Sequence, residues 1–246
     1  MNAAAVAAAL AFGATAPVAG SQAQSVQPAA HSLHAHAHAA PASAAGDAYG
    51  YRLAAKAASS HAAPSASPDK LAATQAALRD LWIGHIFWVR DVVQGLVHKD
   101  AAAAKAAEQQ AVANAQQIAA AIEPFYGKSA SEGLFKLLAG HYGAVKAHAE
   151  ATIAGDTVRT KQALDDLTAN AGQIAVFLSG ANPYLPEATL RGLLISHGGH
   201  HVQQNQQLAA HDLAGEARTW EAMKSHMYTI ADALGGALAK QFPDKF

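Results

Sequence analysis

From Pro68 to the C-terminus, apolar side chains return every three or four residues, the spacing that lines one face of an α-helix. Leu78, Leu81, Trp82, Val89, Val92 and Leu96 form one such stripe, with a histidine, His85, in its middle. The stripe recurs at a constant offset in the numbering, as Leu134, Leu137, Leu138 and Val145 around His141, and again as Leu190, Leu193 and Leu194 around His197. Self-similarity at one period predicts a set of packed supersecondary units.

Each stripe stops just ahead of an aspartate, Asp100, Asp156 or Asp212, and an Ala-rich or polar helical run follows. Aspartate there caps a helix start, because its carboxylate accepts from N–H groups that lack a partner one turn back. Each unit is therefore predicted to be an αα-hairpin. The second helices read ANAQQIAAAI over 113–122, ANAGQIAVFL over 169–178 and SHMYTIADAL over 225–234. They put Asn114, Asn170 and His226 on the apolar face with Ile118, Ile174 and Ile230. Ser67-Pro68-Asp69 reads as the capped start of the first helix, and Pro124, Gly127, Pro183 and Pro186 break the chain between hairpins. The predicted fold is all-α: a six-helix bundle over 67–246, built from three tandem hairpins at about 68–127, 128–183 and 184–246.

His85 precedes Asp100, and Asn114 follows it, by nearly equal intervals along the chain, and the other two hairpins keep those intervals. Because every helical residue adds the same rise, the two polar groups of a hairpin stand at one level. His85, His141, His197, Asn114, Asn170 and His226 are thus expected to form a single polar layer. A small residue precedes each histidine, Gly84, Gly140 and Ser196, and is expected to let a helix or ligand approach the imidazole. An open row of hairpins would hold the first and third histidines too far apart to share an ion, whereas closure around an axis would bring all three together.

The third hairpin departs from the others at two positions. His201 replaces the valine of Val89 and Val145, four residues after His197 on the same stripe, and His226 replaces asparagine.

Burying unpaired imidazoles and amides costs a few kcal/mol, so the layer must be satisfied by something. Three readings follow. In the first, His197, His201 and His226, with His141 and His85, bind a divalent metal, zinc by default, while Asn114 and Asn170 support them from behind. In the second, each histidine hydrogen-bonds the amide across its own hairpin, His85 to Asn114 and His141 to Asn170, and the layer only sets helix register. In the third, a small-molecule or catalytic pocket lies near Trp82, Phe87, Trp88 and Tyr142. The third is the weakest as an enzyme. Asp80, Asp91 and Glu108 fall off the stripe, and the chain has no phosphate loop, nucleophile elbow or acid pair.

Composition narrows the field. The 246 residues include no cysteine, which removes thiolate sites and disulfides, and 14 histidines, the one unusual chemical resource. A formal net charge of −1 with scattered Lys and Arg argues against a nucleic-acid surface. Residues 1–23 have the apolar core and small-residue exit of a secretory signal, although no Lys or Arg precedes the core. Cleavage is expected after Ala23, giving a periplasmic or secreted protein whose mature chain has no stable membrane span. Residues 24–66 read as a disordered Ala/Ser/Pro/His-rich linker, in which His31, His34, His36 and His38 alternate in a way that can capture a metal.

The strings LWIGHIFWVRD, IEPFYG, FLSGANP and the closing KQFPDKF resemble a largely uncharacterised family of bacterial all-helical proteins with the pattern Leu-Trp-x-x-His-x-x-Trp-x-Arg and a QFPxKF-like C-terminus. The matching positions are Leu81, Trp82, His85, Trp88 and Arg90, with His141, His197 and His226, and the resemblance covers roughly 75–246. It implies a helical bundle and supplies no reaction. His201 and the His-rich tail stand outside the pattern.

Overall fold

The computed structural model describes residues 66–246; the signal-like leader, the linker to residue 65 and the four tail histidines lie outside the described residues. Six long helices, one short α-helix and a final 3-10 turn, Pro243–Lys245, make up this part, and no strand occurs among the described residues. Pro68–Val97 (α1) and Ala101–Ala121 (α2) form the first hairpin. The single turn Glu123–Tyr126 (α3) leads to Lys128–Ala154 (α4) and Thr157–Ala181 (α5), then to Glu187–Ala209 (α6) and Leu213–Gln241 (α7).

The three aspartates cap as their positions predict. Asp100 accepts from the Ala103 amide, Asp156 from Val158 and Arg159, and Asp212 from Gly215. Ser67 departs from expectation: it occupies the cap position of α1 but its side chain makes no capping bond, so the fixed φ of Pro68 starts the helix without it. Each hairpin turn also has the same backbone. The Asp100, Asp156 and Asp212 amides bond back five residues to Gly95, Ala151 and Gln207, and the residue before each aspartate is left-handed. Those residues are Lys99 (φ 56°), Gly155 (φ 69°) and His211 (φ 57°).

Helices α1, α2, α4, α5, α6 and α7 pack in that order, and α7 returns to pack on α1. Helices α1, α4 and α6 also touch one another pairwise. The bundle is therefore a closed ring with the first helix of each hairpin innermost. Every hairpin turn and connection reverses the chain, so these three helices run parallel and bring equivalent residues of their stripes to one level. Leu78, Trp82, Leu134, Leu138, Leu190 and Leu194 fill the interior on one side of the histidines. On the other side come Val89 and Val145, then Val93, Ala149 and Leu208. Each large apolar side chain so buried contributes roughly 1.5–3 kcal/mol.

Phe125, Phe242 and Phe246 cluster near the C-terminus, with ring centroids 5.4 and 5.9 Å from Phe125. Beside them the Tyr126 hydroxyl donates to Gln241 Oε1 (2.7 Å) and accepts from Asn182 Nδ2 (2.9 Å), which ties α3 to the ends of α5 and α7. No described helix is long and apolar enough to cross a membrane.

Candidate metal centre

Closure brings the three stripe histidines together. Their ring centroids are 5.8 Å (His85 to His141), 5.5 Å (His85 to His197) and 5.4 Å (His141 to His197) apart, a nearly equilateral triangle with one corner on each inner helix. His201, one turn beyond His197 on α6, joins them at 5.6, 5.8 and 4.5 Å from His85, His141 and His197. All four are buried, and each offers one ring nitrogen within 4.8 Å of the other three. His197 Nε2 lies 3.4 Å from His85 Nε2 and 3.2 Å from His201 Nε2. Nitrogens held about 2.0–2.1 Å from a tetrahedral metal would be separated by roughly 3.3–3.4 Å. Two edges of such a tetrahedron are therefore already close to their required length.

Hydrogen bonding among the rings does not satisfy them. A neutral imidazole has one N–H and one lone pair, yet both nitrogens of His141, Nδ1 of His197 and Nδ1 of His201 bond no protein group. Burial pushes His85 down to about 3, with His141 beside it adding to the effect. Burial likewise pushes His141 down to about 4; Asn170 is near enough to oppose the shift but stands outside hydrogen-bonding geometry. Burial and the neighbouring imidazoles hold His197 and His201 well below the ordinary histidine value. All four are therefore neutral at neutral pH, the state in which imidazole ligates a metal. The group could hold a metal ion.

His226 and the two asparagines do not join this group. Asn114 Nδ2 donates to the Leu81 carbonyl (3.0 Å), Asn170 Nδ2 to that of Leu137 (3.0 Å), and His226 Nε2 meets that of Leu193 at 2.8 Å. The single layer read from the sequence is therefore two rings. The inner one holds imidazoles, and the outer one pins each second helix to a carbonyl one turn before the histidine. His226, expected as a ligand, belongs to the outer ring, where it packs edge-on against His200 at 5.4 Å. The expected His85–Asn114 and His141–Asn170 bonds are replaced by these carbonyl contacts. The small residues serve the same ring: a Cβ on Gly84 would lie 2.9 Å from Asn114 Nδ2, and one on Gly140 3.2 Å from Asn170 Nδ2.

Sequence reading missed a buried polar network beside His201. Arg90 forks onto Glu216 (2.6 and 2.8 Å), and Gln204, three residues after His201 on α6, donates to the same carboxylate at 2.8 Å. Glu216 is 3% exposed, and the Arg90 guanidinium holds its carboxyl below the usual carboxylate range. Arg90 also lies over Trp220, 5.5 Å from the ring centroid. Asn205 donates to the Val145 carbonyl (3.2 Å) and lies 3.1 Å from His148 Nδ1. Glu216 gave little signal in the sequence, since an acid in the first turn of a helix reads as a partner for the helix dipole.

On the N-terminal side of the imidazoles lies a partly open cavity of about 50 Å³, lined by residues of all six long helices. Its walls include Trp82, Leu138 and Leu194 next to the histidines, with Leu78, Leu134 and Leu190 one turn farther away. His141 and His197 reach its floor. Of the four aromatic residues expected near a pocket only Trp82 lines it, while Phe87 is exposed and packs edge-on against Trp88. Compared with known proteins, the chain matches no family model, no curated protein and no solved structure.

Proposed function

We propose that this is an exported helical-bundle protein that binds a divalent transition metal through His85, His141, His197 and His201. The observation that carries the reading is the convergence of four buried, neutral ring nitrogens, one from each residue, within 4.8 Å of one another. An all-imidazole donor set with no thiolate suits zinc by default, with copper(II), nickel and cobalt as competitors. Export rests on the signal-like residues 1–23. The outer ring supports a structural part for Asn114, Asn170 and His226, which sets helix register and leaves the ion to the inner ring.

The test is elemental analysis and zinc titration of protein purified without a His-tag, beside a His197→Ala/His201→Ala variant. One equivalent more of metal in the parent than in the variant is expected, since the tail histidines are common to both. Lack of metal, together with no thermal stabilisation by zinc, copper(II), nickel or cobalt, overturns the proposal.

A further inference from the structure

The apolar cavity and the histidine group share two residues, His141 and His197, and are otherwise opposites. Leucines and isoleucines from all three hairpins dominate the cavity walls, which carry no charged residue. An anion or a cation there would be desolvated with no charged partner, meeting only neutral polar groups such as the imidazoles, Tyr126 and Asn182. Size restricts the occupant further. An apolar cavity of about 150 Å³ holds benzene or xenon, while roughly 10–15 Å³ is needed for a single water. At about 50 Å³ the cavity suits a molecule of a few heavy atoms at most, smaller than an aromatic ring.

Its position relative to His201 gives the space a direction. Trp82, Leu138 and Leu194 stand three residues before His85, His141 and His197 on parallel helices, whereas His201 stands four residues after His197. The cavity and the fourth imidazole thus lie on opposite sides of the histidine triangle. Trp82 breaks the threefold pattern of the wall. Leucine occupies the equivalent place in the other two hairpins, Leu138 and Leu194, and the buried Trp82 indole N–H is accepted by no protein group.

We propose that this cavity is a binding chamber for a neutral diatomic gas, the class of dioxygen and nitric oxide, which reaches a metal held by the four histidines from the side opposite His201. The metal half rests on the function proposed above and on cobalt(II) rather than zinc as the ion, because closed-shell zinc(II) does not bind these gases; the chamber itself rests on neither.

Xenon, an apolar probe of suitable size, tests the chamber in full-length metal-free protein by ¹²⁹Xe NMR. Leu194→Phe and Leu134→Phe, at two heights of the wall, each fill it. Saturable xenon binding in the parent is expected to weaken at least tenfold in whichever filled variant folds. For the metal half, nitric oxide is added to cobalt(II)-loaded protein and the visible cobalt bands are followed. They should shift in the parent, and at least tenfold more gas should be needed in a filled variant that still binds one cobalt. No saturable xenon binding overturns the chamber, whatever the metal content. Xenon binding without cobalt uptake overturns the four-histidine reading and the delivery step and leaves the chamber standing. An unchanged cobalt response in a variant that has lost xenon binding overturns delivery through the chamber.

Discussion

His201 Nε2 lies 3.2 Å from His197 Nε2, one turn along the same helix, at a position where the other two hairpins carry Val89 and Val145. The substitution converts three converging imidazoles into four. It also buries a ring whose Nδ1 has no protein partner, a cost that an apolar side chain of similar volume avoids.

His201→Val therefore separates a ligand from a core histidine. Without metal, the variant is expected to match or exceed the parent in stability, by up to about 1–3 kcal/mol, because an unsatisfied buried group is removed. With zinc present the order should reverse, since ligation stabilises the parent according to RT ln(1 + [L]/Kd). Thermal melts with and without zinc, together with a chelator-competition titration, check both signs. A variant destabilised equally in both conditions would mark His201 as a packing residue.

The buried imidazoles also set an acid limit. Their folded values lie below the ordinary 6.5, about 3 for His85 and about 4 for His141, and lower than ordinary for His197 and His201. The unfolded chain therefore binds protons first as pH falls. Stability is fully present above about 6.5 and is lost below it, at about 1.4 kcal/mol per pH unit for each imidazole. Four groups together remove roughly 5 kcal/mol per unit, so a domain of ordinary stability should unfold between about pH 5.5 and 4 in metal-free form. Circular dichroism against pH measures this, and zinc should move the midpoint to lower pH because bound metal competes with protons.

Much of this arrangement could be read from the sequence. The helical stripes, the three capping aspartates and the place of His201 on the inner face all follow from local spacing, which the backbone obeys. Three features depend on contacts between distant segments. Ring closure is decided by α7 packing on α1, and no spacing within one hairpin specifies that contact. His226 shares a buried arc with apolar residues, but that arc covers both the bundle axis and the flank of α6. Its hydrogen bond to Leu193 places it on the flank. Glu216 is buried because Arg90, far away on α1, reaches it.

Glu216→Gln should be costly without touching the ion site. It leaves the Arg90 guanidinium facing a neutral amide in a place where the carboxylate is 3% exposed and the arginine side chain 28% exposed. Breaking a fully buried pair costs about 3–5 kcal/mol, and the partial exposure of Arg90 reduces this to roughly 2–3 kcal/mol. Urea denaturation is expected to show that loss with zinc stoichiometry unchanged. A loss of only about 0.2–1 kcal/mol, the range of exposed ion pairs, would mean that solvent already screens the contact.

The outer ring can be tested through a change of sign. Gly84→Ala gains about 1 kcal/mol of helix propensity but sets a Cβ 2.9 Å from Asn114 Nδ2, whose bond to the Leu81 carbonyl prevents easy withdrawal. Alone it should destabilise the metal-free domain by about 1 kcal/mol, as overpacking does at its mild end. Asn114→Ala should cost a similar amount through the lost hydrogen bond. In the double variant the clash is gone and the propensity gain remains, so Gly84→Ala should stabilise in that background. A coupling energy of about 1–2 kcal/mol from the urea midpoints of this cycle, with metal affinity unchanged throughout, would assign Asn114 to register. A tenfold loss of zinc affinity in Asn114→Ala would instead join the outer ring to the metal centre.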